Sequence, residues 1–445
     1  MFSCCMSIVY DIPMETAKLF KEHEIKKRES SVMRRSMQAV TLGMSFSFLR
    51  NLLTTCATFI LILLFFSPSQ AETFYSKYKL SKPLIERTEN FKLLDDKDQS
   101  FKSKFKGWWK FKTGSGSAQG DDQMATSAFA LGNFKSLYNF NSDISFFMHL
   151  GAGFQSTYLQ ETFQRSIGNF LSLKEAVVVY RPIKQACFGI GAINQGIVPS
   201  SLFISGSRAF PGLMECADIN WGKKIRANLS AQQVVPTSSS FSSERIEKEV
   251  QPSLQTETLT LQYALHKNIT VEGYGALFKY SDLPSVVAES SRLMGNTGLG
   301  SGAQSEFAYD FQGWASGIVV TTFGGTENGP YLRAGMLKNE KAVFDRSKAQ
   351  HVNLGMGFRL KDYVIQPEFR YSFIESDAVP AKYLSWQMLG TNYEIKTAAL
   401  KWKFKKNGFN LNFLYKQADP LIKTNIQDSS YELYEIQLET DYASF

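Results

Sequence analysis

Beyond residue 104 the chain alternates between apolar and polar positions with a period of two. Over 143–155, Ile144, Phe146, Met148, Leu150, Ala152 and Phe154 alternate with Ser145, His149, Gly151, Gly153 and Gln155, and Phe147 alone breaks the pattern. Over 351–360, Val352, Leu354, Met356, Phe358 and Leu360 alternate with Asn353, Gly355, Gly357 and Arg359. Over 363–373, Tyr363, Ile365, Phe369, Tyr371 and Phe373 alternate with Gln366, Glu368, Arg370 and Ser372. Successive side chains of a strand point to opposite faces, so this period predicts strands with one apolar and one polar face.

A soluble sandwich gives the same alternation, and the connections arbitrate. Short turns are predicted at 139–142, 181–185, 222–223, 266–268, 324–329, 361–362 and 405–408. Between them lie longer polar segments at 114–124, 157–169, 195–211, 237–255, 281–305, 339–348, 375–391 and 419–429. Short and long connections alternate throughout, which predicts sixteen strands. An even count with turns at one rim and loops at the other is the pattern of a transmembrane barrel; Greek-key crossings do not produce it. The fold class expected is therefore all-β: a closed antiparallel transmembrane β-barrel over 104–445, with short periplasmic turns and long extracellular loops. Closure follows because no unpaired strand edge is tolerated in lipid.

Composition changes the picture at the N-terminus. Ala57 to Phe66 is a short apolar run behind Arg50 and ahead of Ser69 and Ala71, which has the three parts of a cleavable secretory signal. The reading is a signal peptide over 44–71 cleaved after Ala71, with 1–43 an over-extended start and 72–103 a charged periplasmic leader. A single-pass anchor is the rival, disfavoured because a spanning helix needs ~20 apolar residues. Removing 1–71 takes 8 of the 49 Lys/Arg and 5 of the 41 Asp/Glu, leaving a net charge of +5. With no Lys/Arg block, this excess points to a local field inside a channel and away from nucleic acid. Only Cys187 and Cys216 remain of five cysteines; a bridge and two separate thiols are both open.

The arrangement resembles the sixteen-stranded general and anion-preferring porins of Gram-negative outer membranes. The resemblance covers roughly 104–445, and its sharpest mark is Phe445 closing a strand, 430–442, with Tyr434, Ile436, Leu438 and Tyr442 on one alternating face. It implies that Tyr442 and Phe445 form an assembly signal read by the barrel-assembly machinery, and that the chain is a homotrimer. The resemblance also implies that the third loop, 195–211, folds into the lumen, with Asn194 at its entrance, Ser205 within it and Arg208 as a constriction cation. An external loop with a solvated Arg208 is the other reading.

If the apolar phase faces lipid, the other phase lines water. That places Lys104, Lys106, Lys110 and Lys112, Arg226, Arg359, Arg370, Lys401 and Lys403 along the pore, partly offset by Glu368 and Glu432. Rings of Lys/Arg bias a pore toward anions, so the expectation is passive diffusion of small hydrophilic solutes with weak anion preference. Trp108, Trp109, Tyr180, Trp221, Tyr280, Trp402, Tyr415 and Tyr442 are candidates for interfacial girdles. The expected partners are outer-membrane lipid and lipopolysaccharide. Cofactors are not expected: His149, His266 and His351 have no metal-ligand spacing, and Gly189-Ile-Gly191 lacks the third glycine of a dinucleotide fingerprint. An adhesive or structural barrel acting through loops 237–255 and 281–305 is the alternative, and a rim hydrolase using His149 a distant third.

Overall fold

The described residues of this computed structural model fall within 105–444, less 121–123, 159–167, 184, 198–199, 201, 207, 222–223, 237–248, 267, 323–325 and 385–387. The expected start, signal and leader segments, and Phe445, lie outside them.

The strands are β1 (Phe105–Gly120), β2 (Met124–Asn139), β3 (Ile144–Tyr158), β4 (Gly168–Ile183), β5 (Ala186–Asn194), β6 (Ala209–Trp221), β7 (Ile225–Val234) and β8 (Ser253–His266). They continue with β9 (Ile269–Ser281), β10 (Gln312–Thr322), β11 (Gly329–Asn339), β12 (Lys348–Arg359), β13 (Tyr363–Ile374), β14 (Tyr393–Phe404), β15 (Phe409–Pro420) and β16 (Tyr431–Thr440). Each pairs antiparallel with the next, and β1 closes the ring on β16: Thr113 lies opposite Ala130 on one side and Leu438 on the other. Ala443–Ser444 prolongs β16 beyond a break and pairs with Trp109 and Trp108. The fold is a closed sixteen-stranded barrel with no free edge.

Closure leaves the apolar phase outside. On β8, Leu259, Leu261, Tyr263 and Leu265 are exposed, whereas Thr256, Thr258, Thr260 and Gln262 between them are buried. Neighbouring strands repeat this, so the outer wall carries an apolar belt, interrupted at Glu215 and Glu257, that water would penalise by about 25 cal/mol per Å². Trp109, Tyr180, Trp221, Tyr263, Tyr363 and Trp402 are exposed near the turn rim, where amphipathic rings meet the headgroups. Of the expected girdle residues, Trp108 instead packs against the interior core, Tyr280 is buried inside, and Tyr442 lies beneath two interior lysines. Phe147, the one break in its alternation, is an interior core residue with Leu137, Val177 and Val179.

The turns fall where expected. Gly408, at φ 66°, closes the β14–β15 hairpin in a conformation that only glycine takes cheaply. Two loops differ. The segment expected as the first long loop, 114–124, is strand over 114–120 and at Met124, because small polar residues there still pair on both sides. The loop after β9 carries a helix, α1 (Ser285–Arg292), and a short ribbon, Gly298–Leu299 with Glu306–Phe307. No helix of the described residues is long and apolar enough to cross a membrane.

Candidate functional site

The candidate site is the lumen, and strand phase decides its lining. With Trp109 and Phe111 outside, Lys110 and Lys112 of β1 point inward. A bulge then adds to them. The register of β3 against β4 shifts between His149 and Leu150, so Lys174 is the extra residue between Leu173 and Glu175, the partners of Leu150 and His149. Leu173 is exposed on the outer face and Glu175 is buried, so Lys174 and Glu175 both turn inward. Lys174 donates to Asn133 Oδ1 and has Lys112, Lys135 and Lys110 as its charged neighbours. Facing these lysines, Lys110 Nζ meets Glu439 Oε1 at 2.5 Å, and Glu435 lies within reach of Lys112. Lys135 and Lys416 are buried on the same side.

The opposite wall is built from β11 to β14. Arg370 pairs with Glu368, which also accepts from Tyr331 Oη. Lys403 and Arg359 both hold Glu327 in the β10–β11 turn, each at 3.0 Å. Burial alone pushes the Glu327 carboxyl up, but hydrogen bonds and charges from Lys403 and Arg359 outweigh it and leave it below the ordinary carboxylate value. Arg226 of β7 meets Asp218 at 3.3 Å. Lys401 shares the inward phase of Lys403, and Arg333 on β11 is exposed within the lumen between inward Tyr331 and Gly335. Lys110, Arg226, Arg359, Arg370 and Lys403 are thus paired wall residues. Lys135, Lys174, Arg333 and Lys416 were not among the expected lining residues. Glu432 is not on the pore side: it accepts from Tyr415 Oη at 3.0 Å and Tyr434 Oη at 2.8 Å on the outer face.

At the loop rim the lumen is partly filled. Loop 195–208 leaves β5 and turns inward, seating Leu202, Phe203 and Ile204 in a buried cluster with Phe210, Phe278, Tyr280, Phe311, Val379, Tyr383 and Leu384. The Phe203 ring lies 4.8 Å from Phe278 and 5.8 Å from Tyr280, both on the inner face of β9. Asn194 fixes the loop's entrance, donating to Lys174 O at 3.1 Å and Gly206 O at 2.7 Å. Ser205 N donates to Tyr383 O at 2.9 Å. Gln195 and Gln232 exchange amide hydrogen bonds. At the loop's end Arg208 is half-buried, donates to Lys382 O and stands 5.5 Å from the Tyr383 ring centroid. Burial lowers the Arg208 guanidinium below its ordinary value, opposed only by Tyr383 and Tyr280; Lys382 is lowered by burial and by Arg208.

The outer loops lock this plug. Asn296 donates to Val379 O at 2.9 Å and accepts from Ala381 N at 2.7 Å. Asp377 accepts from Thr297 N at 2.8 Å and Thr297 Oγ1 at 2.7 Å, joining loop 282–311 to loop 375–392. Beneath the plug, Cys187 of β5 and Cys216 of β6 stand directly opposite and are joined as a disulfide, with Cα atoms 5.1 Å apart. That bond clamps the two strands between which loop 195–208 runs.

Tyr442 departs from its expected face. Lys135 and Lys110 lie 4.4 and 5.3 Å from its ring centroid, so it sits on the inner side, not beside Tyr434, Ile436 and Leu438. The break at 441–442 resets the phase. His149 lies opposite Glu175 with Lys135 and Lys174 around it, and among the described residues no cluster of His, Cys, Asp or Glu could hold a metal.

No family model and no curated protein matches the sequence. Solved structures do match. OprB of Pseudomonas putida, at high pH, superposes with a TM-score of 0.51 at 11% identity, covering 77% of this chain and 94% of that one. The chain has the porin fold. Two further structures resemble it more distantly: OmpF of Salmonella typhi in complex with daunomycin (TM-score 0.44, 11% identity, 75% and 97% covered) and OccAB4 of Acinetobacter baumannii (0.42, 10%, 77% and 98%). On the porin fold, one exterior feature stands apart from the lumen. The outer wall from β5 to β10 carries a groove of about 780 Å³, lined by small residues such as Ala217, Ala231, Gly275 and Ser316, with Glu215 and Glu257 beside it. Glu215 is exposed there, between Leu213 and Ile219 of the apolar belt.

Proposed function

We propose that the protein is an outer-membrane diffusion channel for small hydrophilic solutes with a mild preference for anions. The observation that carries this reading is the inward group of Lys110, Lys112, Lys135 and Lys174 on one wall, with Arg333 and Lys401 across the lumen. Cations between low-dielectric walls lower the cost of partly dehydrating an anion. Glu435, Glu439 and Glu368 temper the field, which keeps the preference mild. On this reading the turn rim faces the periplasm and the loop rim faces outside, in contact with lipopolysaccharide. The chain is exported by its 44–71 signal, inserted by the barrel-assembly machinery and assembled as a homotrimer. The inward-turned plug supports a channel over an adhesive barrel, because loops 282–311 and 375–392 spend their contacts on each other.

Purified protein in planar bilayers tests the reading. Stepwise conductance with a reversal potential displaced toward that of the anion is expected under a salt gradient; an electrically silent barrel overturns it. N-terminal sequencing of the mature protein, expected to begin at Glu72, tests the export signal.

A further inference from the structure

One half-buried cation in the plug lacks a counter-charge among the described residues. Arg208 donates to a single protein acceptor, the Lys382 carbonyl, and its buried Nε has no hydrogen-bond partner among the described residues. The groups that act on its charge are two tyrosines, Tyr383 and Tyr280, and the charged side chain that acts on Lys382 is Arg208. Among the described residues no carboxylate enters either environment, and loop 195–208 contains no acidic residue. The acids of loop 375–392 are engaged elsewhere, Asp377 with Thr297 and Glu375 with the Lys348 amide.

Two further unsatisfied hydroxyls lie nearby, one of them on the ring that Arg208 faces at 5.5 Å. Tyr280 and Tyr383 stack with centroids 5.9 Å apart, and both hydroxyls are buried without a partner among the described residues. Tyr280 is 4% exposed and Tyr383 fully buried. A hydroxyl can donate or accept, but beside a guanidinium N–H with no acceptor in sight its useful role is to donate. A half-buried cation whose Nε is buried without an acceptor, and unsatisfied donors beside it, are each costly. A single bound species with negative charge and no hydrogen to offer relieves all three.

We propose that the junction of loop 195–208, β9 and loop 375–392 binds one small monovalent anion, a halide or a carboxylate group, through Arg208 Nε and the hydroxyls of Tyr280 and Tyr383. Arg208, the half-exposed member, forms the entrance, and the two hydroxyls form the floor. Bound anion ties loop 195–208 to loop 375–392 and so stabilises the plug. The site does not depend on the channel's bulk ion preference.

The test uses the full mature protein in detergent, where no transport is measured, so its failure and a failure of the channel reading are separable. Crystals soaked in sodium bromide are expected to show an anomalous peak within hydrogen-bond distance of Arg208 Nε and at least one hydroxyl; a peak-free site filled by water overturns the proposal. In solution the melting temperature is measured against bromide or formate at constant ionic strength, with methanesulfonate, neither a halide nor a carboxylate, as the replaced anion. A saturable rise on the order of 2–4 °C is expected, absent in Arg208→Gln. Tyr280→Phe, which keeps the ring and removes only the hydroxyl, is expected to weaken the anion dependence several-fold and covers the case in which R208Q fails to fold. Tighter formate binding assigns the site to the carboxylates of passing solutes, and tighter bromide binding to inorganic halide. A response that is linear and equal in all three proteins overturns the site.

Discussion

Phe203→Ala separates the plug from the barrel. Phe203 is 1% exposed and packs against Phe278 and Tyr280. Truncating a buried Phe to Ala costs about 3–5 kcal/mol. None of that cost falls on strand pairing, since the residue belongs to loop 195–208. It falls on docking of the loop, where Leu202 and Ile204 supply the other buried apolar side chains, each contributing about 1.5–3 kcal/mol. Loss of 3–5 kcal/mol raises the undocked-to-docked ratio by about two to nearly four orders of magnitude. Two assays read this. Trypsin cleavage at Arg208 is expected to accelerate by about 10²–10⁴ where opening equilibrates ahead of cleavage, while the barrel core stays resistant. Single-channel current is expected to become larger and noisier. Unchanged cleavage together with unchanged current would refute the claim that the apolar trio holds the loop inward.

Three other outcomes follow from the same coordinates. Lys112→Glu combined with Lys174→Glu is expected to reverse the sign of the reversal potential in a salt gradient; an unaltered sign shows that the field is set elsewhere. Glu215→Leu replaces a carboxylate in the apolar belt and is expected to raise resistance to urea in lipid vesicles by about 1–2 kcal/mol, whereas a loss of stability means that this face is covered by something needing the charge. Glu327 has a depressed carboxyl, so its contribution is present above the unfolded value near 4.5 and disappears as pH falls through the lower folded value. Wild-type protein is therefore expected to lose stability below about pH 4.5 more steeply than Glu327→Gln, and parallel acid titrations would count against the Lys403–Glu327–Arg359 link.

The barrel was legible because strands in lipid must separate two chemistries, and Val352 to Leu360 or Tyr363 to Phe373 print that separation directly. Strand number was legible because turns such as 405–408 carry their own residues. The lining was only partly so. Lys174 follows Leu173 in an outward-then-inward run that strict alternation misassigns past Glu175, since a bulge leaves no mark in composition. Tyr442 was misplaced for the same reason, by a phase break at 441–442. The first loop was misread because its Gly-Ser run lacks an apolar face yet still pairs. The plug's tyrosines were hidden too: Tyr280 is a plausible girdle residue until loop 195–208 is seen to reach it.

The bulge in β4 also bears on how such a barrel can change over generations. Lys174 reaches the lumen through one extra residue in the strand, with Leu171 and Leu173 still facing lipid on one side of it and Val178 and Tyr180 on the other. Deleting a single codon there would withdraw a cation from the passage and leave the greasy exterior intact. Insertions and deletions, normally ruinous inside a sheet, thus become a route by which the charge of the lumen can drift while the apolar exterior is preserved.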